Sequence, residues 1–198
     1  MGLFDKTYRF KARLALIKSQ LIYRFGFKRF GKHSRIISPL RIAHSEHMTI
    51  EENVYIDAYG YLIANTEFNR HPEFVIKSGT KIGNFNHISC ANRLVIGKNV
   101  LTADRVYISD NFHIYDNIDI PIKDQSIGSK GEVIIGDNSW IGDGVTIISC
   151  KIGKNCIIGA NSVVLKDIPD YSVAVGSPAR VVKKYSFEDG KWKNVERK

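Results

Sequence analysis

Between residues 132 and 166, an aliphatic side chain returns every six positions, and this spacing limits the possible folds more than any other feature of the sequence. The repeats form two runs separated by one step of five: Ile135, Ile141 and Ile147, then Ile152, Ile158 and Val164. The residue after the aliphatic is usually glycine. Looser sets with the same spacing occur earlier in the chain: Ile50, Ile56 and Leu62, then Ile82, Ile88 and Leu94.

A period of six matches neither an α-helix, with about 3.6 residues per turn, nor a half-buried strand, with a period of 2. It fits a coil of three short flat strands, in which the aliphatic residues point into a triangular prism and the glycines sit near its corners. One turn of such a coil takes about 18 residues, and successive turns stack through parallel backbone hydrogen bonds. The sequence therefore favours an all-β parallel β-helix over a β-sandwich, whose turn signals recur at about 8–12 residues.

These repeats resemble those of the hexapeptide-repeat acyltransferases, whose fold is a left-handed parallel β-helix. The resemblance covers residues 36–184 and includes two closing motifs, Lys166-Asp167-Ile168-Pro169 and the stretch 175–180. Within that family the chain is most similar to sugar and polysaccharide O-acetyltransferases of bacterial capsule, lipopolysaccharide and exopolysaccharide synthesis. The resemblance implies acetyl-CoA as donor, a saccharide, nucleotide-sugar or lipid-linked glycan as acceptor, no metal, and a homotrimer with sites between subunits.

His113 is the candidate catalytic residue among six histidines. The segment Val106–His113 resembles the family's "V-x-I-x-x-x-x-H", in which the final histidine is the general base that takes the proton of the attacking hydroxyl. An imidazole with an ordinary pKa of about 6.5 is mostly neutral near pH 7 and suits that role. The following stretch, 114–130, breaks the period and is expected to be a loop excursion. Asp110, Asp116 or a backbone carbonyl is left open as the group that orients the ring.

Acceptor contacts are expected at three polar residues. Asn86 resembles an asparagine that lines the acceptor pocket in relatives, although a corner asparagine in a tight turn is an equal alternative. Asp110 and Asn111 precede His113 directly. Many relatives have a second histidine at the position of Asn111, and this departure puts the acceptor contacts in doubt.

The resemblance also implies a groove for CoA between two β-helices. The matching positions for the pantetheine arm are Trp140, Gly142, Gly159, Ala160 and Ser162, although Trp140 could merely cover an edge of the coil. Positive side chains suit the phosphate groups of CoA. The positions that match its adenine and phosphate end are Lys166, Ser177, Pro178, Arg180 and Lys183.

The excess of positive charge lies at the start of the chain. Residues 1–35 contain ten Lys or Arg and one acidic residue, whereas the remainder is neutral overall. Leu14, Ile17, Leu21 and Phe25 recur at helical spacing, so the segment 1–35 is predicted to contain a basic amphipathic helix that ends near Gly26. Two roles stay open for residues 3–30: contact with an anionic membrane surface, or packing on the β-helix with the charges in water.

The remaining features set the boundaries of these expectations. Residues 36–184 are expected to form the acyltransferase domain, and 185–198 a short C-terminal helix or tail. Three cysteines at unrelated spacings favour isolated apolar thiols in a reducing cytoplasm. Nucleic acid is not expected as a partner, because the neutral remainder has no nucleic-acid motif. An amino-sugar N-acyltransferase and a non-catalytic trimeric scaffold remain as alternative functions.

Overall fold

The computed structural model describes residues 3–195, without the side chains of residues 3–6, 8, 9 and 11. The chain begins with α1 (Leu3–Lys18), continues through a π-helical turn (Ser19–Tyr23) and ends its helical part with α2 (Arg24–Gly26). The helical part therefore ends where the sequence predicted. In the rest of the described chain the regular structure is mainly short strands joined by turns, in agreement with the all-β prediction.

Three parallel sheets form the faces of a prism, and the chain visits them in the constant order A, B, C. Sheet A contains β1 (Arg29–Phe30), β4 (Met48–Ile50), β7 (Glu73–Ile76), β10 (Arg93–Ile96), β15 (Val133–Ile135) and β18 (Lys151–Ile152). The parallel strands of sheet B are β2 (Arg35–Ile36), β5 (Tyr55–Ile56), β8 (Lys81–Ile82), β11 (Leu101–Thr102), β16 (Trp140–Ile141), β19 (Ile157–Ile158) and β21 (Ser172–Gly176). Sheet C contains β3 (Arg41–Ala43), β6 (Tyr61–Ala64), β9 (His87–Cys90), β12 (Tyr107–Ser109), β17 (Thr146–Ile148) and β20 (Val163–Val164). We name the prism edges A–B, B–C and C–A after the sheets they join.

The predicted inward positions are the core. All six repeat residues between 135 and 164 are at most 1% exposed. They stack in register, so that Ile135 lies over Ile152 and Ile141 over Ile158. The step of five after Ile147 falls at a C–A edge, where the short turn between β17 and β18 is filled by buried Cys150. Four of the six sheet A strands, β4, β7, β10 and β15, bury two or three residues each, such as Leu94 and Ile96 of β10, which explains the break in phase there.

Two boundaries differ from those expected. The first strand of the coil, at Arg29–Phe30, pairs with β4, so the coil begins inside the segment 1–35 rather than at residue 36. The short C-terminal helix or tail takes the form of antiparallel strands: β22 (Ala179–Ser186) folds back on β21, and β23 (Lys191–Asn194) pairs with β22. The rings of Tyr185 and Trp192 pack edge to face in this extension.

The three thiols are free and buried in the coil. Burial raises the pKa of Cys150 to about 12 and also raises the pKa values of Cys90 and Cys156. A thiol with such a pKa is only about 10⁻⁴ ionised at pH 8. We therefore expect no reaction of the folded protein with Ellman's reagent, and three reactive thiols in guanidinium chloride. Rapid labelling of the folded protein would contradict the burial of these side chains.

Candidate active site

His113 lies at the base of the predicted excursion. It ends β13 (Asn111–His113), which pairs antiparallel with β14 (Ile127–Ser129), with His113 opposite Ile127. Because β12 lies in sheet C and β15 in sheet A, this two-stranded neck leaves the prism at the C–A edge. The residue is exposed, and no described residue of the chain hydrogen-bonds its imidazole. The ring is thus held on a paired strand while its nitrogens remain open to a substrate.

The excursion beyond the neck is ordered by its own polar groups. The Gln125 amide nitrogen donates to the carbonyl oxygens of Asn117 and Ile120 at 2.8 Å each. A 3₁₀ turn, Ile122–Asp124, completes the loop. The tip is open to solvent, with Ile118 94% exposed between the charged side chains of Asp116 and Asp119. A large apolar side chain exposed to this degree is available for contact with another surface.

Asp110 supports the coil below His113. Its carboxylate is completely buried and accepts three backbone N–H groups of the neighbouring coil, from Ala91 at 2.6 Å and from Asn92 and Arg93 at 2.8 Å. These bonds fix the turn between β9 and β10. The Asp110 carboxylate is therefore engaged by the backbone. The sequence had left open that it binds the saccharide or orients the His113 ring, but the structure brings it to neither position.

We expect Asp110→Ala to lower the free energy of unfolding by about 3–5 kcal/mol, because it leaves three buried N–H groups without an acceptor. Asp110→Asn keeps one carbonyl oxygen and should cost less. Denaturation curves at equal protein concentration would measure both losses. The matched control is Asp116→Ala, an exposed aspartate of the excursion, for which no such loss is expected. Equal stability of the two alanine variants would contradict the structural role.

Asn111 and Asn86 also bind the protein itself. The Asn111 amide nitrogen donates to Ser89 Oγ at 3.0 Å, at the start of the neck. Asn86 is 2% exposed. Its amide nitrogen donates to the carbonyl oxygens of Gly83 and Ala103, and its oxygen accepts the N–H of Val106 at 2.7 Å. Asn86 thus has the corner role that the sequence left as an alternative. Its buried amide is used within the protein and is not open to a saccharide.

The positions matched to pantetheine lie on sheet B and at the B–C edge. Trp140 is half exposed on the outer face of β16, between Leu101 and Ile157 of the adjacent strands. Ala160 is exposed just after β19. Together they offer apolar surface beside the B–C edge, which also carries the ion pair between Arg105 and Asp143.

Gly142, Gly159 and Ser162 are each needed for the packing of the coil itself. A Cβ on Gly142 would lie 2.7 Å from the backbone nitrogen of Ala160, so glycine is needed for the coils to stack there. A Cβ on Gly159 would likewise lie 2.7 Å from the Val175 side chain. Ser162 is fully buried, and its hydroxyl accepts the N–H of Gly176 at 3.0 Å. Its side chain therefore does not face the groove.

The positions matched to the phosphate and adenine end are exposed near the last coils. They comprise Lys166, Ser177, Pro178, Arg180 and Lys183. The Ser177–Pro178 peptide is cis. Arg180 Nη1 donates to its own neighbour, the carbonyl oxygen of Ala179, at 2.9 Å. Arg180 and Lys183 lie on β22, opposite Val175 and Val173 of sheet B, whereas Lys166 lies in the C–A turn between β20 and Ile168. Positive side chains at these positions suit the binding of phosphate groups.

An aromatic column on sheet C was not singled out from the sequence. The rings of Tyr61 and His87 stack with centroids 5.1 Å apart, and Tyr107 lies 5.2 Å from His87. Burial lowers the pKa of His87. Each member directly precedes an inward aliphatic residue, namely Leu62, Ile88 or Ile108. The column could have been predicted from these aromatic residues at equivalent positions of successive coils.

The candidate residues of one chain are separated by the prism. His113 leaves at the C–A edge, where Lys166 also lies in a later coil, whereas Trp140 belongs to sheet B and Ala160 to the B–C edge. Among the described residues, no His, Cys, Asp and Glu side chains cluster as ligands for a metal ion. Within one chain, His113 and these sheet B positions thus lie on different parts of the prism.

The family model described as bacterial transferase hexapeptide (six repeats) matches residues 132–166. A Saccharomyces cerevisiae protein named "Putative acetyltransferase YJL218W" is 34% identical over 84% of this chain and 78% of its own length. The Escherichia coli "Putative lipopolysaccharide biosynthesis O-acetyl transferase WbbJ" is 28% identical over 96% and 97%. The Mycobacterium tuberculosis "Probable acetyltransferase Rv3034c" is 44% identical over 58% of this chain, and the match spans only 39% of that protein.

Solved structures show the same fold. AntD, an N-acyltransferase from Bacillus cereus in complex with dTDP and 3-hydroxybutyryl-CoA, superposes with a TM-score of 0.69 at 20% identity and covers 86% of this chain and 90% of its own. A maltose O-acetyltransferase from Clostridium difficile 630 has a TM-score of 0.54 at 27% identity, over 90% and 84%. With a period-six core, a left-handed β-helix fold and these relatives, the chain belongs to the hexapeptide-repeat acyltransferase family.

Proposed function

We propose that the protein transfers an acetyl group from acetyl-CoA to a saccharide hydroxyl, with His113 as general base. The observation that carries this proposal is the exposed imidazole of His113 on a rigid two-stranded neck, without a partner among the described residues of its own chain. A neutral imidazole in that position can accept the proton of an alcohol as the alcohol attacks the thioester.

The transfer is direct in this proposal. The acceptor oxygen forms a bond to the acetyl carbonyl carbon while its proton passes to His113. The C–S bond then breaks, and the imidazolium returns the proton to the CoA thiolate. A thiol-bound acetyl intermediate is disfavoured, because the three cysteines are buried and their pKa values are raised by burial.

The donor and the acceptor are assigned on different grounds. Trp140 and Ala160 suit the pantetheine arm of CoA, and the exposed positive side chains of Lys166, Arg180 and Lys183 suit its phosphates. For the acceptor, the printed names of the E. coli and C. difficile relatives refer to O-acetyl transfer. The partly exposed aromatic column of sheet C, formed by Tyr61, His87 and Tyr107, offers aromatic rings for contact with a sugar.

We also propose a homotrimer. The separation of His113 from Trp140 and Ala160 within one chain favours a site shared by two chains, and a closed ring of three gives every chain the same partner surfaces. The exposed side chain of Ile118 at the tip of the excursion supports contact with a neighbouring subunit.

We place the reaction in the cytoplasm, at the inner face of the membrane, where a lipid-linked glycan would be presented. Free, buried thiols suit a reducing compartment. The positive charge of residues 1–35 suits an anionic surface. None of the described helices is long and apolar enough to cross a bilayer.

The test is acetyl-CoA consumption, followed as thiol release, with pairs of sugars and nucleotide-sugars that differ only in a hydroxyl or an amine at one carbon. We expect release with hydroxyl acceptors and its loss in His113→Ala. Preference for the amine member of every pair would replace O-acetylation by amino-sugar N-acylation. AntD, which shares the fold, is named an N-acyltransferase. Failure to bind CoA in calorimetry would overturn the donor assignment and favour a scaffold.

A further inference from the structure

The N-terminal helix packs on the coil through its small residues. Ala12 and Ala15 are 7% and 8% exposed and contact a cluster that includes Ile37, Tyr55 and Ala58. Small side chains let the helix approach the coil closely. This contact fixes which face of α1 points inward.

Polar bonds lock the helix in that orientation. Ser19 is fully buried, and its hydroxyl accepts the N–H of Ile36 at 3.0 Å. The Gln20 amide nitrogen donates to the carbonyl oxygens of Gly31 and Ser34 at 3.1 and 2.9 Å. Rotation of the helix would break these bonds, so the opposite face is held outward.

The outward face carries the large apolar residues. They are Phe10, Leu14, Ile17, Leu21, Ile22 and Phe25, each between 50% and 85% exposed. At about 100° per residue, Phe10, Leu14 and Ile17 form a stripe about 60° wide, nearly opposite Ala12 and Ala15. A helix that packs by its small residues and exposes its large ones has a second surface to cover. We call these six residues the outward stripe.

Positive charge flanks the outward stripe. On the same helical wheel, Arg13 and Lys18 lie about 40° beyond its two edges, and both are exposed. Arg24 is exposed in the following turn. No acidic residue occurs between Lys6 and Ser45 to neutralise them. An apolar stripe bordered by bases is the pattern of helices that lie in the interface of an anionic membrane.

We propose that the outward stripe docks on an anionic lipid bilayer, with Arg13, Lys18 and Arg24 at the level of the headgroups. The apolar side chains enter the acyl boundary, and the small face keeps the β-helix attached to the surface. The inference supplies the surface for the peripheral location proposed above, and it does not depend on acetyl transfer.

Co-sedimentation of the full chain with vesicles tests the proposal. One set is equimolar phosphatidylglycerol and phosphatidylethanolamine, and the other is phosphatidylcholine alone. We expect binding to the anionic set to be at least about 10²-fold tighter than to the neutral set. Leu14→Gln/Leu21→Gln and Arg13→Gln/Lys18→Gln/Arg24→Gln should each weaken anionic binding by about 10²-fold.

Matched control variants remove the same kinds of side chain outside the outward stripe. Leu40→Gln/Phe68→Gln removes two exposed apolar side chains, and Arg70→Gln/Lys98→Gln/Lys191→Gln removes three exposed charges. Both should bind vesicles as the wild type does. Thermal melting checks that every variant is folded. Acetyl transfer to a soluble acceptor should be unchanged in the docking variants, so loss of docking and loss of the enzyme activity are distinguishable.

Three results would overturn the proposal. The first is equal binding to anionic and neutral vesicles, or binding to neither. The second is full binding by both docking variants. The third is a smaller assembly mass for Leu14→Gln/Leu21→Gln in light scattering without lipid, because a second copy of the chain would then be what covers the outward stripe.

Discussion

His113→Ala is expected to lower the rate of acetyl transfer by about 10²–10⁴-fold and to leave CoA affinity unchanged. The imidazole is exposed at the end of β13, at the C–A edge, whereas Trp140 and Ala160 of the same chain lie on sheet B and at the B–C edge. Its removal takes away the proton acceptor but leaves the groove intact. Steady-state kinetics with a hydroxyl acceptor and calorimetry with CoA measure the two quantities separately.

A matched pair separates loss of the base from loss of any histidine. His113→Asn should behave like His113→Ala, whereas His33→Asn should keep the wild-type rate. His33 is exposed at an A–B edge with φ of 61°, a conformation that asparagine tolerates. A rate for His113→Asn within a few-fold of wild type would contradict the general-base role. With an amine acceptor a smaller loss is expected, since an amine needs less help to lose its proton.

The core could be predicted from the sequence because it depends on a local repeat. Ile141 and Ile158 point inward because a turn at a prism corner lies on either side of each strand. The repeat of six residues is visible over a short stretch of the sequence. Departures from the period also have local causes: the turn around Cys150 is one residue shorter, and β10 buries both Leu94 and Ile96.

The polar residues of the site could not be assigned in this way. Asp110 meets backbone groups at residues 91–93, and Asn86 meets Ala103 and Val106, each a full coil away. Their partners depend on how coils stack, which the residue type alone does not state. A polar residue next to a catalytic motif thus suggested substrate contact, whereas the fold uses it to hold a corner.

The helix shows a different limit. The recurrence of Leu14, Ile17 and Leu21 correctly predicted a helix, yet these residues face away from the coil. Periodicity identifies an apolar face of a helix but not the surface that packs against it. The contact with the coil is made by Ala12 and Ala15, which are too small to dominate a hydrophobic pattern.

Mixed trimers should test the shared site most directly. His113→Ala destroys the base, and Ala160→Trp fills the groove at an exposed position where a larger side chain meets solvent rather than the core. Each variant alone is expected to be inactive. Co-expression of the two in equal amounts should restore about a quarter of the wild-type rate, since one site in four then combines an intact base with an intact groove.

The arithmetic distinguishes a shared site from a site within one chain. If His113 and Ala160 acted in the same chain, every chain of the mixture would carry one defect and no activity would return. Mixing wild type with the double variant His113→Ala/Ala160→Trp gives the complementary test: about a quarter of the sites are intact if they lie between chains, and about half if they lie within one. Light scattering must show equal assembly masses for all mixtures. If both mixtures regain a quarter of the wild-type rate, His113 and Ala160 act on opposite sides of a subunit interface, as proposed from their separation within one chain.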